Sequence, residues 1–189
     1  MDKGFYELLE ANPVIAAVKD EAGLAAACKS AEIQVVFLLF GDILNVARLV
    51  RSVKDAGKAA VVHIDLVSGL GAKEVVVDFL KAHTAADGVI STRPGLVKRA
   101  GELSLWTVLR IFLLDSMALE NLERQALAAH PDVIEILPGL MPKVISKVVQ
   151  RVHVPVIAGG LISEKEDVIE ALDAGAVAVS TTNPAVWEM

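Results

Sequence analysis

Eight short runs of β-branched and aliphatic residues recur along the whole chain, and this repeat constrains the fold more than any other feature. They are Val14–Val18, Val35–Phe40, Ala60–Ile64, Gly88–Ile90, Leu105–Phe112, Val133–Leu137, Val156–Ala158 and Ala176–Val179. Between them lie segments of helical period, such as Ile43, Val46, Ala47, Val50 and Val53, which share one helix face and would cover a sheet. Runs without polar alternation are strands buried on both faces, as in a parallel sheet under helices. The composition agrees, with 54% hydrophobic residues but only 4% aromatic, so aliphatic side chains must do the packing.

Strand and helix in eightfold alternation predict an α/β fold, a single closed (β/α)8 TIM barrel over residues 1–189. The rival is an open doubly wound sheet. No antiparallel edge strand is visible, and closure removes edges altogether. A length of 189 residues fits one domain. Because such barrels typically run to about 250 residues, helices and loops here must be short.

Punctuation follows the same alternation. Pro94, Pro142 and Pro184 stand where helices should begin, and Pro13 and Pro155 where strands should begin. Ser163 with Glu166 has the spacing of a capping box, Gly175 reads as the stop of that helix, and Asp42 and Gly57 bracket an earlier one. The lone Cys28 has no partner for a disulfide. Met1 to Glu10 lacks the basic and apolar regions of a secretion signal, and the run Val35–Phe40 is far short of the roughly 18 residues of a membrane span. These features predict a cytoplasmic protein without a membrane partner; a homo-oligomer is left open.

An internal echo supports closure. Asp87-Gly88-Val89-Ile90-Ser91-Thr92, leading to Pro94, resembles Gly175-Ala176-Val177-Ala178-Val179-Ser180-Thr181, leading to Pro184. Gly69-Leu70 and Gly160-Leu161 precede the two copies at similar distances, so strands three and four echo strands seven and eight.

In such barrels the site lies at the C-terminal ends of the strands. There the sequence places Lys19, Asp42, His63, Asp65, Arg110, Glu135, Gly159-Gly160 and Ser180-Thr181. A charged group in a strand under apolar helices cannot point outward cheaply, so His63, Asp65, Arg110 and Glu135 should face the barrel interior or mouth. The loops after strands seven and eight form the strongest local signal. Glycines there admit backbone amides close to an anion, and a short helix from Pro184 would direct its dipole at the same point, which predicts a phosphate ester as ligand. The alternative is that Gly159-Gly160 merely turns the chain. Arg110 and Glu135 read either as ligand contacts or as an ion pair of the packing. Lys19 could balance phosphate charge or serve as a base or Schiff-base amine. His63 and Asp65 could shuttle a proton or hold a metal, but without further ligands a hydrogen-bonded core histidine is the better reading, and no metal or other cofactor is expected.

The ordered series Phe37-Leu38-Leu39-Phe40-Gly41-Asp42-Ile43, His63-Ile64-Asp65-Leu66 with Gly69-Leu70, Ile90-Ser91-Thr92-Arg93, Arg110–Ser116, Glu135-Ile136-Leu137-Pro138-Gly139 and Ile157–Ile162 resembles the glycerol-3-phosphate-responsive antiterminator family from about Asn12 to Trp187. The resemblance implies a bacterial regulator of glycerol uptake genes rather than a catalyst, with glycerol 3-phosphate as effector and leader mRNA as target. It implies that Asp65, Arg110, Glu135, Gly159, Gly160, Ser180 and Thr181 lie near the ligand. Ser68 stands where the family pattern carries an acid. On this reading Asp65 or Glu135 would accept hydrogen bonds from the glycerol hydroxyls.

A net charge of −6 excludes broad attraction to nucleic acid, so any RNA contact needs a local patch. From Gly139 to Val154 there is no acid, and Lys143, Lys147 and Arg151 repeat every fourth residue as a basic helix stripe. Arg48, Arg51 and Lys58 form a second group; both groups could be ordinary solvated faces. The rival functions are a phosphosugar isomerase, aldolase or lyase using Lys19, Asp65 or Glu135, and a barrel that serves only as a scaffold.

Overall fold

The computed structural model describes residues 3–188; Met1, Asp2 and Met189 lie outside the described residues. Eight strands, β1 (Val14–Val18), β2 (Val35–Leu38), β3 (Ala59–His63), β4 (Gly88–Ser91), β5 (Trp106–Phe112), β6 (Val133–Leu137), β7 (Val156–Gly159) and β8 (Ala178–Thr181), close into a barrel in sequence order. All neighbours are parallel, and β8 closes on β1 with Ile15 beside Ser180. The helices alternate with the strands: α1 (Lys3–Ala11), α2 (Glu21–Lys29), α3 (Val46–Asp55), α4 (Val75–His83), α5 (Pro94–Glu102), α6 (Ser116–Ala129), α7 (Pro142–Arg151), α8 (Lys165–Asp173) and α9 (Pro184–Trp187).

The period of two along each strand divides the apolar residues into two cores. Outward positions such as Val36, Leu38, Val62 and Ile134 pack under the helices. Inward ones such as Ile15, Phe37, Val61 and Ile157 fill the barrel. Helix α1, which the strand repeat does not announce, joins the inner core: Phe5 and Leu9 are fully buried, and Phe5 stacks on Trp106 with ring centroids 4.7 Å apart. Helix α1 therefore seals the end of the barrel where the strands begin.

Three local expectations are corrected. Strand β8 begins at Ala178, two residues later than expected, because Gly175 at φ +101 and the Ala176-Val177 lead-in bring the chain up from α8. Ser180 and Thr181 therefore belong to the strand and not to the loop after it. The acid that caps α8 is Asp167, whose carboxylate accepts from the amides of Ser163 (2.8 Å) and Glu164 (3.0 Å); Glu166 does not serve. Asp42 caps a turn, accepting from the amides of Leu44 and Asn45, and α3 starts only at Val46.

Candidate functional site

The inward positions of four strands change from apolar to polar as they approach the C-terminal end: Val61 to His63, Val108 to Arg110, Val133 to Glu135 and Ala178 to Ser180. Burial of charge at this level demands pairing. Arg110 and Glu135 face each other across the β5–β6 register, and Arg110 Nε donates to Glu135 Oε2 at 2.5 Å. The other carboxylate oxygen accepts from the Ser180 hydroxyl. Glu135 is fully buried, so both of its oxygens serve neighbours within the barrel. Gly159 is required here by space: a Cβ would stand 2.6 Å from Ser180 Oγ and 2.7 Å from Glu135 Oε1.

Above this layer lies a cavity of about 460 Å³. Its walls include Gly160-Leu161-Ile162-Ser163 from the β7–α8 loop, Ser180–Asn183 from β8 and the turn after it, and Arg110 from the floor. The two loops are held together by the Thr181 hydroxyl, which donates to the Ile162 carbonyl at 2.7 Å, and by Asn183 Nδ2, which donates to the Ser163 carbonyl at 2.9 Å. Gly160 at φ +76 and Leu161 at φ +66 lie in succession in the left-handed region, which a leucine enters only against steric resistance. Among the described residues, the amides of Gly160, Leu161 and Thr182 have no protein acceptor, whereas Asn183 N is taken by Thr181 Oγ1. Arg110, anchored through Nε, keeps its terminal nitrogens for the cavity side. The wall therefore offers hydrogen-bond donors where an acceptor-rich group would enter.

The other expected site residues stand elsewhere. Lys19 is exposed and lines a neighbouring groove with Asp20, Gly23 and Thr182. Asp65 is not on the strand face with His63 but in a 3-10 turn, Ile64–Leu66, after β3. Its carboxylate is already engaged: it accepts from the Thr92 amide (2.7 Å), the Thr92 hydroxyl (3.0 Å) and the Ser91 hydroxyl (3.0 Å to each oxygen). Asp65 and Glu135 thus already accept from the barrel's own donors, and a ligand hydroxyl would have to share either carboxylate with them. His63 is 3% exposed, and its Nδ1 finds no partner. Burial, reinforced by the Arg110 charge, lowers the imidazole to about 4, which makes it neutral at physiological pH.

The three residues of the basic stripe, Lys143, Lys147 and Arg151, are all exposed on α7, with Lys143 in a groove it shares with Glu170 and Asp173 of α8. The second basic group does not hold together. Lys58 is buried and donates to the carbonyls of Ser30 and Ile33, and Arg48 is paired with Glu21. Leu161 and Thr182 lie within the two loops that the sequence marks as the anion site, but they are not among the individual residues it singles out there. Counting back from the prolines gives the missing signal, because Ser91-Thr92-Arg93-Pro94 and Thr181-Thr182-Asn183-Pro184 align without a gap.

Architecture and cavity together define a TIM barrel with a donor-lined recess at the C-terminal mouth of its strands. The chain belongs to the family described as "Glycerol-3-phosphate responsive antiterminator", which it matches over residues 14–187. It is 46% identical over 182 residues to the uncharacterized protein YgcP of Escherichia coli (strain K12), covering 96% of this chain and 95% of that protein. The glycerol uptake operon antiterminator regulatory protein of Listeria monocytogenes superimposes with a TM-score of 0.89 at 32% identity, over 93% of this chain and 94% of that one. A glycerol uptake operon antiterminator-related protein of Thermotoga maritima gives 0.82 at 36% identity, over 94% and 99%. Deoxyribose phosphate aldolase of Aeropyrum pernix, at 15% identity and a TM-score of 0.73 over 100% of this chain and 97% of that one, shares the fold alone. Among the described residues no helix is long and apolar enough to cross a membrane, and no three His, Cys, Asp or Glu side chains group as metal ligands.

Proposed function

We propose that this protein is a cytoplasmic regulator of transcription antitermination for glycerol uptake genes, with glycerol 3-phosphate as effector and leader mRNA as target. The observation that carries the reading is the cavity between the β7–α8 loop and β8, with the uncommitted amides of Gly160, Leu161 and Thr182 on its wall and Arg110 on its floor. Backbone amides in a concave, left-handed loop suit a phosphate dianion, and Arg110 balances the charge. Gly159, Glu135, Ser180 and Thr181 act through the shape of the wall, and Lys19 contributes positive charge from the rim. The residues lining the cavity include no lysine, histidine or carboxylate, which supports binding over acid–base turnover.

Effector binding would order the mouth loops and favour one state of an outer surface, in proportion to the ligand's different affinity for the two states. The exposed stripe Lys143, Lys147 and Arg151 is that surface in our reading. Thermal unfolding with and without glycerol 3-phosphate tests the effector: ligand at 100 times its Kd adds about 2.7 kcal/mol. The absence of a shift at millimolar ligand removes the reading, and turnover of a triose or pentose phosphate replaces it with an enzyme. For the RNA surface, changing Lys143, Lys147 and Arg151 together to Gln should abolish binding of a leader transcript. Binding that keeps its strength and its salt dependence eliminates the stripe.

A further inference from the structure

Opposite the proposed effector site, four strands away around the barrel, stands a second cradle built on the same frame. Strand β4 ends at Ser91, and Pro94 opens α5, as β8 ends at Thr181 and Pro184 opens α9. The hydroxyl at the strand end accepts from the amide two residues on in both copies: Ser91 Oγ from Arg93 N at 3.0 Å, Thr181 Oγ1 from Asn183 N at 3.1 Å. The difference lies in what the intervening amide meets. Thr182, which lines the cavity, has no protein acceptor for its amide, whereas Thr92 N donates to Asp65, on which the hydroxyls of Ser91 and Thr92 also converge.

The cradle is larger than the carboxylate inside it. Arg93 Nη1 stops 3.8 Å from Asp65 Oδ1, and the buried, unpartnered His63 Nδ1 stops 4.0 Å from Oδ2. Both distances are too long for hydrogen bonds. A phosphate group, with a third oxygen and longer bonds, would come closer to the Arg93 guanidinium and, in the Nδ1–H tautomer, to His63. We propose that the β3–β4 side of the mouth is a second phosphate cradle whose resident anion is Asp65, and that Asp65 thereby restricts the ligand to a single phosphate group. A ligand long enough to carry phosphates to both sides of the mouth would bring its second dianion against this carboxylate. The restriction to one phosphate rests on the effector site proposed above; the second cradle does not.

Inorganic phosphate is the probe, titrated by calorimetry into the full chain and into its Asp65→Ala and Asp65→Ser variants. The wild type should bind one phosphate and each variant two. If a variant is unfolded in the absence of anion, phosphate should refold it, since the anion replaces the lost carboxylate as partner of Ser91 and Thr92. One phosphate in the wild type and one in the folded variants overturns the second cradle and leaves the effector site standing. None in the wild type and one in the variants overturns the effector site and the restriction on ligands, but keeps the cradle. Variants that stay unfolded with phosphate present also overturn it.

Discussion

The β3–β4 and β7–β8 quarters of the barrel share a strand–turn–proline frame and put it to opposite uses. In the first, the second residue after the strand is Asp65, which turns inward and satisfies the loop opposite. In the second, the corresponding place holds Leu161, left-handed at φ +66 with its side chain 71% exposed, and the loop opposite keeps an uncommitted amide. One acid therefore separates a closed corner from an open one. A repeat in sequence copies the backbone, whereas the chemistry of each copy is set by whichever side chain reaches the shared donors.

The sharpest way to strain this contrast is Glu135→Ala. Glu135 underpins the open corner, and its loss leaves a buried guanidinium without a counter-charge and the Ser180 hydroxyl without an acceptor. Stability should fall by about 3 to 5 kcal/mol in denaturant unfolding. Asp65→Ala should cost less, because Asp65 is partly exposed and Arg93, one of its neighbours, is half-exposed. Equal losses would mean that the two acids play the same part, and the contrast would collapse.

A further effect centres on His63, beside the closed corner. His63 is held near 4 when folded, against about 6.5 in the unfolded chain, so the native state resists its protonation. Its contribution is complete above pH 6.5 and is lost as the pH falls, by about 3 kcal/mol near pH 4. Between pH 7 and pH 4.5 the denaturant midpoint of the wild type should fall further than that of His63→Leu. Parallel losses would show that His63 does not govern this window.

The barrel was legible because each strand is a mostly apolar run without polar alternation, a pattern that periodicity and Pro or Gly punctuation make plain. Strand β8 was misplaced by two residues because Ala176 and Val177 have strand composition while serving as the ascent from α8. The inward turn of His63, Arg110 and Glu135 was also readable, since a charge in a helix-covered strand has one affordable direction. Their partners were not. Sequence lists Asp65 and Glu135 as available acceptors, and only the assembled barrel brings Ser91, Thr92, Arg110 and Ser180 onto their oxygens. Lys58 failed as a surface cation for the same reason, because its amine reaches two carbonyls 25 and 28 residues away in sequence.

With Ile15, Phe37, Val61 and Ile157 filling the barrel and Phe5 and Leu9 of α1 covering its far end, the mouth is a well with a single opening. Whatever settles at the bottom of the mouth must depart by the way it came. Residence time is then governed by the loops at the rim, and a partner lying across that rim would hold the occupant in place without touching it.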